Sequence, residues 1–304
     1  MATISELIAK KTRRLTTVPD EYLNAVEKAQ KKLLPDIIDL LRTLELDSSG
    51  NIILNSSNLG LATNAKEFVQ EILASSEYTN AIRDYAIEMG NQKSISNEIF
   101  NKSFDGFKPK SIADDLFKLN QRNAIDLLAN NIGGERFADV IRENIETAIS
   151  SNAGIKDTIR QLQTIVTGDD EVDGKLLQYN KQIAHDTFAI SDRNYTSAVS
   201  EELEAEWFFY SGSEIETTRP FCSARHNQYF YYREIEQWPE DAGDWAGRIP
   251  GTNSSTIYSY AGGYNCRHSI IPVSISRVPK AVILEAINKY GFEPSAVETD
   301  LLGL

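Results

Sequence analysis

Cysteine is nearly absent: the 304 residues hold two, Cys222 and Cys266, too few for the disulfide framework that staples small secreted scaffolds. Long apolar runs are missing as well. None approaches the roughly 20 residues that a bilayer-spanning helix requires. The N-terminal Met-Ala-Thr-Ile-Ser-Glu-Leu-Ile-Ala-Lys-Lys-Thr-Arg-Arg-Leu has no uninterrupted apolar core of the kind a secretory signal carries. The expectation is a soluble intracellular product. Basic charge is in deficit, with 31 Lys and Arg against 44 Asp and Glu and a formal net charge of −13. That excludes a general basic coat for nucleic acid and leaves only local patches. No P-loop, G-x-G-x-x-G or H-E-x-x-H motif occurs. What is present, 41% hydrophobic and 25% charged residues, is ordinary globular composition; it excludes global disorder and supplies two compact units.

The chain changes texture near residue 206. Before it, proline is scarce, with only Pro35 and Pro109 after the first turn region, and apolar residues recur at helical spacing. From about Asp20 to Leu46, Val26, Leu33, Ile37, Leu41 and Leu44 form one stripe that Pro35 should bend or split. Polar residues from Asp47 to Asn58 close it. Further helices are expected over Ala65 to Ser75, Glu77 to Met89, Ser111 to Asn130, Glu135 to Ser150 and Ile155 to Val166. The acidic break from Gly168 to Gly174 reads as a solvated loop, since it lacks the ordered ligand ladder of a calcium loop. A longer helix is expected from Leu176 to Glu206. Beyond it, Trp207-Phe-Phe-Tyr210 reads as a short strand, residues 239–263 as a long ordered loop, and Ser269 to Ile275 as a final strand that Pro272 places at a sheet edge. A last helix spans Pro279 to Tyr290 and ends at Gly291. The expected class is α+β: a mostly helical N-terminal two thirds and a small C-terminal module with a short sheet and a long ordered loop. Along the chain this divides as a helical assembly region (1–174), the module (175–278), and a C-terminal helix and tail (279–304).

Both cysteines and two of the three histidines fall between positions 222 and 268: Cys222, His226, Cys266 and His268. Cys222 and His226, four apart, would share one side of a helical turn; Cys266 and His268, two apart, would share one face of a strand. Two thiolates and two imidazoles suit tetrahedral zinc, which would pin the loop 227–265 to the sheet as a structural staple. Buried free thiols beside hydrogen-bonded histidines and a Cys222–Cys266 disulfide are the alternatives. Pro220 has its φ preset for a first helical position, Thr217 or Thr218 could cap that turn, and Gly262-Gly263 permits a sharp bend. Arg219 and Arg267 are expected to pair structurally with acids or carbonyls. His185 reads as a helix-surface or interface residue. The basic cluster Lys10, Lys11, Arg13 and Arg14 reads as a solvated face that could also meet phosphate.

Thr217-Thr-Arg-Pro-Phe-Cys222, then after a long loop Gly262-Gly-Tyr-Asn-Cys-Arg-His268 and a strand ending Ile271-Pro-Val273, resembles the phage minor head protein family, also called Mu F-like or head morphogenesis proteins. The likeness covers about Leu176 to Ile275, and it makes 175–278 a head morphogenesis module. Two positions depart from the family pattern. Asn227 stands where relatives usually have Gly, and Asn is the next best residue for positive φ; His268 stands where many have Cys. The resemblance implies a virion structural protein near the portal, assembled in the host bacterial cytoplasm and present in multiple copies. Portal or major capsid protein would be its partner, with packaged DNA a further contact through Lys10, Lys11, Arg13 and Arg14 and no membrane in the mature head. An ejection protein delivered with the genome is the nearer alternative. A zinc-dependent enzyme or toxin-like module is the more distant one, as no nucleophile and base are visibly arranged and a non-enzymatic role is expected.

Overall fold

The structure is a computed structural model that describes residues 2–131, 134–296, 298–299 and 303. It is 67% helical with one small antiparallel sheet near its C-terminal end, an α+β chain as expected. In chain order the helices are α1 (Ile4–Leu41), α2 (Ser56–Ser75), α3 (Glu77–Ser103), α4 (Ser111–Asp126), which runs into a π-helical turn over Leu127–Asn131, α5 (Gly134–Ser150), α6 (Ile155–Thr167) and α7 (Lys175–Glu202). There follow β1 (Trp207–Gly212), α8 (Pro220–Ser223), β2 (Gln228–Tyr231), α9 (Tyr232–Asp241), α10 (Ile257–Tyr260), β3 (His268–Pro272), a 3₁₀ turn over Ile275–Arg277 and α11 (Lys280–Tyr290).

Packing divides the chain differently from its change of texture. One compact unit combines Met1–Thr17, Glu88–Gln121 and His185–Leu304; the other combines Val18–Ile87 and Arg122–Ala184. Neither follows the linear segments 1–174, 175–278 and 279–304.

In the Val18–Ile87 and Arg122–Ala184 unit, α2 packs on α5. Ala62, Ala65, Val69 and Leu73 on α2 and Phe137, Ile141, Ile145 and Ala148 on α5 are buried stripes at helical spacing. The Asn55 side chain caps α2 by accepting from the Asn58 amide. Buried Asn58 in turn donates to the Glu45 and Ile53 carbonyls at 3.0 and 2.7 Å, closing the preceding turn. The hydroxyls of the buried tyrosines Tyr22, Tyr78 and Tyr85 donate to Asn180 Oδ1, the Leu128 carbonyl and the Ala184 carbonyl. Each apolar ring is thus buried without orphaning its hydroxyl. Pro35 does not split α1: Leu33 and Ile37 on either side are both buried, and the continuous stripe outweighs the one backbone hydrogen bond proline removes.

In the other unit the sheet order is β2-β1-β3, with both neighbours antiparallel to β1. β3 is an edge strand, as Pro272 requires. Alternation along β1 serves two cores. Phe208 and Tyr210 face Phe221, Phe230, Trp238 and Ile270, while Trp207 joins Tyr231, Val273, Ile283 and Phe292 on the side that α11 covers. The first turns of α1, which no sequence expectation included, also belong to this unit. Their stripe is Leu7, Ile8, Lys11 and Leu15, all buried, and a lysine in the middle hides the pattern. Lys11 is ion-paired with Asp192 of α7, and its ammonium also donates to Ser96 Oγ at 2.8 Å and Thr196 Oγ1 at 3.3 Å. Asp192 Oδ2 accepts from Ser269 Oγ of β3 at 3.1 Å, so the network joins α1, α3, α7 and the sheet. Burial lowers the Lys11 pKa, against the opposing pull of Asp192.

Candidate metal centre

Cys222 is delivered by α8, a single turn that Pro220 opens from its first position. Arg219, whose side chain makes no capping bond, occupies the capping position, so neither threonine caps the turn; Thr218 Oγ1 instead accepts from the Ile215 amide at 2.7 Å. After α8 the chain reverses through Asn227, whose φ of +57° is the left-handed conformation asparagine tolerates. Its amide donates to the Tyr210 carbonyl at 2.9 Å, which sets β2 beside β1.

Cys266 and His268 arrive from the other end of the loop through a sharply wound segment in which Ala261, Gly263 and Asn265 all have positive φ. Glycine here makes room for sulfur. A Cβ on Gly262 would lie 2.2 Å from Cys222 Sγ and 3.0 Å from Cys266 Sγ, and one on Gly212 would lie 2.2 Å from the His268 ring. The Gly262 amide points at Cys266 Sγ, 3.3 Å away. Asn265 is anchored through its own amide to Asp186 of α7 at 2.6 Å.

These elements bring Cys222 Sγ, Cys266 Sγ and a ring nitrogen of His268 within 4.8 Å of one another, all three residues buried. The sulfurs stand 3.9 Å apart and both thiols are free. Two sulfurs bound to one zinc at the usual length in a tetrahedron would be about 3.8 Å apart, whereas a disulfide would draw them to about 2 Å. The donor set can therefore hold a metal ion, and the expected disulfide alternative is not formed. His268 is stacked under Tyr210, ring centroids 5.0 Å apart, and its Nε2 is buried without a hydrogen-bond partner. The Tyr210 hydroxyl lies 3.4 Å from Cys222 Sγ. The buried Arg193 of α7 donates through Nη1 to the His268 carbonyl at 3.1 Å and more weakly to that of Cys266 at 3.4 Å, while its Nε and Nη2 have no hydrogen-bond partner among the described residues.

The sulfurs titrate as a pair. A hydrogen bond from Cys222 favours the Cys266 thiolate, with His268 and Arg193 adding to it, so Cys266 is held well below the usual thiol range. The same bond, together with burial, pushes Cys222 up. One proton shared between two buried sulfurs is a state that a divalent cation would replace.

His226 does not join the three donors. α8 ends at Ser223, so the expected helical spacing from Cys222 does not extend to position 226. Its ring is perpendicular to that of His268, centroids 5.4 Å apart; Nε2 lies 2.9 Å from Asn227 Nδ2 and 3.8 Å from Glu214 Oε2, and Nδ1 is buried without a partner. A cleft of about 280 Å³ opens onto the three donors, walled by Thr217, Thr218, Arg219, Asn265 and Arg267. Arg219 pairs with carbonyls, as expected, donating to Tyr264 at 2.6 Å and Gly262 at 3.5 Å. Arg267, expected to be paired, has no hydrogen-bond or ionic partner among the described residues.

Gly212, Tyr210 and Arg193 are parts of the centre that the sequence did not flag. Their only signal is tertiary, since Arg193 lies 73 positions from Cys266. The basic cluster is also corrected. Lys11 is buried in its ion pair, and Arg14 is occupied by Glu88 Oε2 at 2.5 Å and Gln92 Oε1 at 3.1 Å. Lys10 and Arg13 alone of the four lie exposed. His185 is half-buried on α7. Among the described residues no helix is long and apolar enough to cross a membrane. No family model, curated protein or solved structure matches this chain.

Proposed function

We propose that this chain is a phage virion structural protein of the minor head type, acting in head morphogenesis near the portal, with a C-terminal module held by a structural zinc ion. The observation that carries the reading is the meeting of the two motifs that bear the family resemblance. Arg219-Pro-Phe-Cys222 and Asn265-Cys-Arg-His268, separated by a long loop, place two sulfurs 3.9 Å apart with His268 beside them. Zinc accepts such a Cys₂His donor set, and its binding energy would hold both ends of the loop on the sheet. The long amphipathic helices offer faces for portal or capsid partners. Exposed Lys10 and Arg13 remain for a DNA phosphate contact.

Two measurements test the proposal. Elemental analysis of purified protein should find about one zinc per chain, and much less in Cys266→Ser; a zinc-free, fully folded wild type would remove the staple. Quantitative mass spectrometry of purified particles should find the chain in mature heads, and its absence there would overturn the head assignment. Retention in shells emptied of DNA is expected of a morphogenesis component; loss with the genome would instead make it an ejection protein.

A further inference from the structure

We propose that the metal held by Cys222, Cys266 and His268 takes its fourth ligand from the adjoining cleft, and that this ligand is a carboxylate seated by Arg267. The inference rests on the metal reading above and adds the exogenous ligand and its chemical class.

Three donors leave one position of a tetrahedron to fill. The three converge at the floor of a cleft of about 280 Å³, room for a small molecule or one side-chain head but not for a folded segment. His226, the fourth residue expected from the sequence, is not among the grouped donors. Its Nε2 lies 2.9 Å from Asn227 Nδ2, and its ring stands perpendicular to that of His268 with centroids 5.4 Å apart.

Charge selects the ligand class. Two thiolates and a neutral imidazole balance a divalent cation, so the loaded donor set is neutral. Of the two arginines on the cleft wall, Arg219 is committed to the Tyr264 and Gly262 carbonyls. Arg267 lines the cleft with no hydrogen-bond or ionic partner among the described residues, so its donors are open to a ligand. Both guanidiniums keep their positive charge beside a neutral metal site, which calls for an anion, and the open planar fork of Arg267 fits a carboxylate. One carboxylate oxygen would meet the metal while the other accepts from Arg267; Thr217, Thr218 and Asn265 line the same cleft.

The full chain loaded with cobalt(II) in place of zinc reports both levels. Thiolate-to-cobalt charge-transfer bands in the near ultraviolet test the metal reading, and their absence overturns it together with this inference. With those bands present, titrating acetate should shift the visible ligand-field bands saturably. Arg267→Gln should leave the acetate-free spectrum unchanged and weaken the acetate midpoint by about tenfold, the usual worth of one charge-assisted hydrogen bond. Chloride at equal ionic strength should not reproduce the shift. His226→Ala should leave both the spectrum and the acetate response intact. If the cobalt spectrum is unmoved by acetate, the carboxylate site is wrong while the metal centre stands. If His226→Ala alters the spectrum, the fourth ligand is His226 and the site is closed from within.

Discussion

At the scale of single residues, two positions concentrate the consequences. Lys11 sits in the hydrophobic stripe of α1 and is tolerated only because Asp192, Ser96 and Thr196 receive its ammonium. Lys11→Met would leave the Asp192 carboxylate buried with hydroxyl partners alone, and should cost about 3–5 kcal/mol of stability. Replacing both members, as Lys11→Met with Asp192→Leu, should recover most of that loss; urea unfolding of the two variants provides the comparison. Gly262 is the second position. An added methyl group would overlap Cys222 Sγ, so Gly262→Ala should abolish stoichiometric zinc in elemental analysis even where circular dichroism shows the helices retained. The residues that could ligate a metal were legible from their types and clustering. Gly262 was legible as a bend but not as the space for the sulfurs, and neither Gly212 beside the His268 ring nor the buried Arg193 was legible at all, because a void and a distant guanidinium leave no mark on local spacing.

At the scale of elements, an amphipathic helix was read nearly to the residue where the stripe was purely apolar, as in α5. Helices were missed where polar residues are buried. Lys11 in α1 and Gln92 and Ser96 in α3 occupy core positions and are satisfied by partners from other elements, so the first turns of α1 and the end of α3 carry no clean period. β2 and α9 escaped notice for a related reason. Four-residue β2 exists because the Asn227 reversal lays it against β1, and α9 follows it directly. α11 covers one face of the sheet with Ile283 wholly buried, so Ile283→Ala should destabilise by about 2–5 kcal/mol in chemical denaturation. The spectrum of a bound cobalt ion should be little changed by that variant, because Cys222 and Cys266 pack on the other face.

At the scale of the whole molecule, buried tyrosines make stability sensitive to alkali. Burial raises Tyr78 and Tyr195 to about 12, and it raises Tyr22 and Tyr210 as well. Between pH 10 and 12 the unfolded chain loses phenolic protons that the fold retains, so it binds fewer protons and stability falls as pH rises. The melting temperature should therefore drop steeply above pH 10, with the last rise in tyrosinate absorbance, that of the buried rings, coinciding with the loss of helical signal. The proposed zinc would add a separate term by mass action: removal with a strong chelator should lower the melting temperature, with restoration on adding zinc back. The sequence by itself determined the α+β class, the helices with apolar stripes, the edge placement of Pro272 and the four Cys and His candidates, because periodicity, turn chemistry and residue type are local properties. Tertiary structure alone decided that packing groups the start of α1 with the C-terminal module, that Lys11 is core, and that three of the four candidates converge while His226 stands aside. Those outcomes depend on which distant groups satisfy a buried charge and where the backbone leaves room for a sulfur, and both are properties of the assembled chain.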